Sequence, residues 1–254
     1  MNDPRSVHLR RFLARFELIR ATGLEIGPFD RPVFLRTDYP NILYVDVKDT
    51  ETLIHNARLN PRRDPARVVK VDYVLHDRPL DAVVPPASLD FVFCSHVLEH
   101  VPDLVGHLKS VARILKSGGL FLVAYPDRRF TFDIMRPATT LDQLRDRHAR
   151  GVKKPDPETV EEQFAANRTV RVGRLWQGLP DAIGPPNFTP EHARWMAERA
   201  QREYIDVHCN VFSDAELGET LQTLAATGEQ PLLLDVLEPT RAPLMEFYLA
   251  LRNP

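Results

Sequence analysis

The chain has 254 residues, 43% of them hydrophobic, which suits one large domain, or one domain with an insertion, whose core needs no disulfide staples. A formal net charge of −2 lacks the basic excess of proteins that hold nucleic-acid backbones. Two cysteines, Cys94 and Cys209, make neither a disulfide framework nor a CxxC metal pair, so a cytoplasmic location is expected.

The opening MNDPRSVHLRRFLARFELIR spaces Val7, Phe12, Phe16 and Ile19 as one face of a helix, predicting a helix laid against the domain ahead of its first strand. Its arginines interrupt the apolar stretch that a signal peptide needs. Short apolar runs then predict strands over 24–26, 42–47, 68–74, 89–94 and 120–125, with a helix over 103–115 ending at Lys116-Ser117-Gly118-Gly119, since glycine commonly sits just past a helix end. Strand–helix alternation of this kind implies a parallel sheet covered on both faces. From 127 to about 204 the pattern is helical and polar, with no convincing strand. Thr140 with Gln143 forms a capping box for a helix stopped by Gly151, and Thr189-Pro190-Glu191 opens a helix expected to reach Tyr204. Ser213 with Glu216 opens another that Gly228 closes, and 232–237 and 246–251 read as the last two strands. No run is long and apolar enough to span a bilayer.

The tips of the first three strands present Glu25, Asp46 and Asp72. Any one strand-end carboxylate is more often a turn former or helix cap; three in succession suit a ligand rich in hydroxyl and amine donors and without phosphate. SLDFVFCSHVLEHVPDLVGHLKSVARILKSGGLFLVAYPD, residues 88–127, resembles the fourth strand, following helix and fifth strand of small class I S-adenosylmethionine (SAM)-dependent methyltransferases of the type 11-like kind. GLEIGPFD from Gly23 resembles their first cofactor-binding motif and LYVDV from Leu43 their second, while Phe29 and Arg31 stand where later glycines are common. The resemblance covers roughly the first half of the chain and the last two strands.

It implies an α/β fold, a Rossmann-like seven-stranded, mostly parallel sheet with helices on both faces. Residues 1–126 would be the SAM-binding core, 127–205 a helical lid over the acceptor, and 206–254 the rest of the core. Glu25, Gly27, Pro28, Asp46, Asp72, Ser95 and His96 would hold SAM, Asp46 accepting from the ribose hydroxyls and Asp72 from the adenine amine. PDRRFTFDIMRP and YIDVHCNVFS resemble a subgroup associated with glycan and polysaccharide synthesis, implying a sugar or oligosaccharide hydroxyl as acceptor, although Phe130 and Phe132 serve equally well as core of the insertion. The expected partners are thus a small-molecule or oligosaccharide acceptor and, at most, a second copy in a homodimer, with no nucleic acid and no membrane span.

A hydroxyl must lose its proton during attack, and the candidate catalytic residues are His208, Asp127 and His96, with His208 as leading base and Asp127 as its support. A Mg²⁺ ion on Asp127, Asp133 or His208 is the metal alternative. Three rival readings remain. His96-Val97-Leu98-Glu99-His100 matches the HxxEH motif of zinc hydrolases, but Pro102 leaves too little helix for two histidines one turn apart to hold a metal together. A nicotinamide oxidoreductase should show GxGxxG, where this chain has Gly27-Pro28-Phe29-Asp30 with its extra negative charge. A non-catalytic SAM-binding module would keep the fold alone.

Overall fold

The computed structural model describes residues 4–254, and their side chains from Val7 onward. A first helix, α1 (Pro4–Leu13), is followed by β1 (Gly23–Ile26), β2 (Ile42–Asp46), α2 (Thr50–Leu59), β3 (Tyr73–Val74), β4 (Leu89–Ser95), α3 (Leu104–Ile114) and β5 (Leu115–Pro126). An insertion contains α4 (Leu141–Arg150), α5 (Pro157–Ala166), β6 (Arg168–Val170), α6 (Val172–Trp176), β7 (Ile183–Pro186) and α7 (Pro190–Ala200). The chain then completes the core with α8 (Asp214–Ala226), β8 (Leu233–Glu238) and β9 (Glu246–Arg252).

Seven strands form one sheet in the order β3-β2-β1-β4-β5-β9-β8. β1 to β5 pair in parallel, and β9 runs antiparallel to both β5 and β8. The expected Rossmann-like, mostly parallel sheet is therefore present. Successive side chains on a strand point to opposite faces, so each central strand feeds two cores. Leu24, Val45, Val92 and Phe121 pack with Leu108 of α3 and Leu221 of α8 on one face. Phe91, Phe93, Tyr44 and Leu122 pack with Phe12 of α1 on the other. Burial on both faces is why β4 reads as an almost unbroken apolar run.

Five local expectations need correction. The N-terminal helix stops at Leu13: Phe12 is fully buried and stacks on Tyr248 at 5.4 Å between ring centroids, whereas Ile19 is exposed in the loop beyond. β3 is two residues long, because the amides of Val69 and Val71 are taken by the Phe29 carbonyl and the Thr50 hydroxyl instead of a neighbouring strand. Gly118 and Gly119 do not end α3; they bend β5 from within, where a Cβ on Gly119 would lie 2.9 Å from the Lys116 carbonyl. The insertion also holds a strand pair, β6 with β7, which Gly184, Pro185 and Pro186 concealed by breaking any alternation, and α7 ends at Ala200 and not at Tyr204. Both capping boxes form as expected, at Thr140–Gln143 and Ser213–Glu216. Among the described residues no helix is long and apolar enough to cross a membrane.

Gly23 sits directly opposite Phe91 in the β1–β4 register, and a Cβ there would lie 2.1 Å from the buried ring. Gly23→Ala should therefore cost about 1–3 kcal/mol, as overpacking does, measured by urea unfolding. An unchanged midpoint would contradict this packing.

Candidate active site

In open α/β sheets the ligand crevice lies at the carboxyl ends of the strands where their order reverses, which here is between β1 and β4. Gly27 follows β1 with φ +66° and its amide bonded to the Val45 carbonyl; a Cβ would meet Val97 at 3.2 Å. Only glycine takes that conformation without strain, so the backbone here is open to close approach by a ligand. Pro28 beside it is buried. The Glu25 carboxylate is buried and accepts from the amides of Val33 and Phe34 at 2.8 and 3.0 Å. It holds the loop after β1 in place, helped by Phe34, whose carbonyl accepts from the Tyr44 hydroxyl. Burial raises the Glu25 pKa to about 7, against the lowering effect of those two amides. Asp30 is buried against Arg63 and the Asp64 amide.

Asp46 ends β2 as a nearly buried carboxylate whose Oδ1 accepts from the Lys48 amide at 3.3 Å. Burial raises its pKa, and no side chain among the described residues forms an ion pair with it. A desolvated acceptor of this kind fits a ligand bearing paired hydroxyls. Asp72 does not share this edge. It precedes β3, level with Tyr44, where it accepts from the Tyr44 amide at 2.8 Å and pairs with Arg36 at 2.5 Å. Its carboxylate is thus engaged with protein groups one step below the strand tip.

At the end of β4, Ser95 is half-buried, and His96 has φ +54°, an uncommon conformation for a non-glycine residue. Its amide bonds to the Ala124 carbonyl at 3.0 Å, and its Nε2 lies 2.6 Å from Glu246 at the start of β9. Glu246 also accepts from the Tyr248 hydroxyl at 2.7 Å. The HxxEH segment continues as a single 3₁₀ turn, Leu98–His100, with His96 Nδ1 and His100 Nε2 lying 3.6 and 3.8 Å from Glu99 Oε1. His100 Nδ1 contacts Asp206 at 2.9 Å. Burial disfavours the charged His100 ring, but the Asp206 hydrogen bond and the charges of Glu99, Asp206 and Asp133 outweigh it and raise the pKa.

The chain leaving the insertion is sewn to this turn. The amides of Cys209 and Asn210 both donate to the Glu99 carbonyl, and the Asn210 carboxamide donates to the carbonyls of Leu98 and Val101 at 3.1 and 2.7 Å. His208 is thereby brought against His100, with ring centroids 4.8 Å apart. Its Nδ1 lies 2.5 Å from Asp133, which also binds Arg136 at 2.8 Å. Burial alone would raise the Asp133 pKa; His208 and Arg136 overcome that and hold it below the usual range. His208 thus has its carboxylate partner, but that partner is Asp133.

Asp127, expected to support His208 or bind metal, is fully buried in a knot with Arg129, which reaches back two residues to grip both carboxylate oxygens, and with the Thr240 hydroxyl. Burial pushes the Cys209 thiol up to about 12, which removes it as a nucleophile. Sequence reasoning missed Glu246, Asp206 and Asn210. The one available signal was Glu246, a carboxylate opening an otherwise apolar strand.

A protein-family model described as a methyltransferase domain matches residues 9–224, well over half of the chain. The chain belongs to this methyltransferase family. It is a SAM-dependent methyltransferase with the Rossmann-like fold of that family. Among solved structures, a protein of Pyrococcus horikoshii is 16% identical over 98% of this chain and 89% of its own, with a TM-score of 0.52. A SAM-dependent methyltransferase of Aquifex aeolicus is 13% identical over 99% and 94%, with a TM-score of 0.47. One from Methanosarcina mazei is 15% identical over 95% and 96%, also at 0.47. The Pyrococcus likeness is one of fold; the family assignment rests on the family model. No curated protein matches the chain in sequence.

The clamp at Glu25 has a pH signature. An unfolded glutamate ionises near 4.5, whereas the folded one holds its proton to about 7. Between those values the folded state binds more protons, so Glu25 withdraws stability as pH rises, by about 3 kcal/mol in all. Relative to wild type, Glu25→Gln should gain stability by that order between pH 4.5 and 8 in urea unfolding. A constant difference would mean that Glu25 is ionised throughout.

Proposed function

We propose that this methyltransferase transfers the methyl group of SAM to a hydroxyl of a sugar or related polyhydroxylated small molecule. The observation that carries the reading is the His96–Glu246–Tyr248 relay. Glu246, 1% exposed, accepts the Nε2 proton of His96, which leaves Nδ1 to take the proton that a hydroxyl must shed as it attacks. Further support comes from the groups around it. His100–Asp206 and His208–Asp133–Arg136 make this edge a set of oriented polar pairs, suited to an acceptor with many hydroxyls more than to a flat apolar one.

SAM supplies the electrophilic methyl on its sulfonium. Gly27 gives its backbone room, Asp46 accepts from its ribose hydroxyls, and Ser95 and His96 close the cofactor side at β4. Residues 127–205 act as a lid that excludes water and orients the acceptor. His96 takes the place of His208 as base because its side chain is 26% exposed against 10%, and because the His208 ring is enclosed by His100 and Phe132.

Asp46→Ala should weaken SAM binding by about 1.5–3 kcal/mol, the value of a hydrogen bond to a charged group, in calorimetry. His96→Gln should lower methyl transfer about 10²-fold or more in an assay across glycans, simple sugars, phenols and amines. Turnover confined to phenols or amines would overturn the acceptor assignment, and a fully active His96→Gln would remove the relay from the reaction.

A further inference from the structure

Glu99 is the anomaly of the buried core. Its side chain is 1% exposed, and neither carboxylate oxygen has a hydrogen-bond partner among the described residues. Such a group ordinarily costs several kilocalories to bury, so an unpaired one calls for an explanation. Its nearest polar neighbours are His96 Nδ1 at 3.6 Å and His100 Nε2 at 3.8 Å. Both separations are too long for hydrogen bonds, and the one to His100 suits two ligands with an ion between them.

We propose that Glu99, His100 and His208 bind one divalent first-row transition-metal ion of the zinc type. One ligand atom from each lies within 4.8 Å of the others. Three atoms mutually that close share a point no more than about 2.8 Å from each of them, so contraction of under 1 Å per ligand reaches the ~2.0–2.2 Å of zinc–nitrogen and zinc–oxygen bonds.

The surroundings orient the ligands. His100 and His208 each direct Nδ1 at a carboxylate, Asp206 at 2.9 Å and Asp133 at 2.5 Å. A proton held on Nδ1 leaves Nε2 as the lone-pair donor, which is the outer-shell arrangement of histidine metal ligands. Arg136 fixes Asp133 in turn and also donates to the His208 carbonyl, while the His208 amide donates to Gln163.

Two imidazoles and one carboxylate favour zinc and its neighbours over magnesium, which prefers all-oxygen cages. The pairing differs from the HxxEH reading: His96 is not a ligand, and the second histidine comes from the far end of the insertion. Three protein ligands leave a position for an exchangeable oxygen, and an ion there would polarise an acceptor hydroxyl. That last role rests on the hydroxyl reading above; binding of the ion does not.

The test uses the full-length protein without an affinity tag, stripped with a chelator, and titrated with Zn²⁺ by calorimetry and with Co²⁺ by visible absorption. Wild type should bind one equivalent of Zn²⁺ below micromolar, and Co²⁺ should give intense tetrahedral-type bands. Glu99→Gln and His208→Gln should each weaken binding at least 100-fold, Asp206→Asn 10–100-fold, and His55→Gln not at all. Wild type that takes up less than a tenth of an equivalent at 50 µM Zn²⁺ would overturn the site. So would Zn²⁺ binding that survives Glu99→Gln unchanged. SAM affinity measured on the same samples separates a failed metal site from a failed methyltransferase reading.

Discussion

Two backbone amides, those of Cys209 and Asn210, share the single carbonyl of Glu99, and the Asn210 carboxamide closes two more carbonyls of the same turn. Buried backbone groups must find partners, and a 3₁₀ turn at the end of a buried strand leaves several unpaired. The returning chain meets that need. The Tyr125 hydroxyl pins the Asn210 carbonyl from the β5 side, so the segment has little freedom to shift along the sheet edge. This seam, together with the contacts of His208 to Asp133, Arg136 and Gln163, sets His208 beside His100.

A second tie secures the root of the insertion. Arg129 bridges Asp127, at the exit of β5, to Asp214, in the first turn of α8. Thr240 closes the same knot through its hydroxyl to Asp127 and its amide to Asp214. The insertion also has a small core of its own, with Val160, Ala200, Ile205, Val207 and Cys209. It is therefore anchored at both crossings while its outer helices rest on many exposed ion pairs, each worth little.

The fold was legible in the sequence because its signals are local. Apolar runs on β1, β2 and β4 and two capping boxes each declare themselves within a dozen residues, and the 88–127 block is one contiguous stretch of 40. Gly27 and Asp46 stand at strand ends as the sequence placed them, since their positions depend on one strand end apiece. What local signals do not show is a partner distant in the chain. Asp72 is claimed by Arg36 across 36 positions, and His96 meets Glu246 across 150. Glu25 and Asp127 were correctly seen as strand-end carboxylates, yet backbone amides and an arginine occupy them. Strand ends expose a carboxylate; the tertiary fold decides what it binds. The His208 reading was half legible, since its need for a carboxylate was clear, but Asp133 and Asp127 could be told apart only in space.

On the proposed reading the site has a cofactor half, built on β1 and β2, and an acceptor half along the seam. Asn210→Ala tests that division most directly, because it removes two hydrogen bonds from the seam and touches neither Gly27 nor Asp46. With the variant still folded by its cooperative melt, SAM affinity measured by calorimetry should stay within about threefold, while methyl transfer falls about 10²-fold as the acceptor groups lose their alignment. Undiminished transfer, or loss of SAM binding in parallel with transfer, would contradict the account.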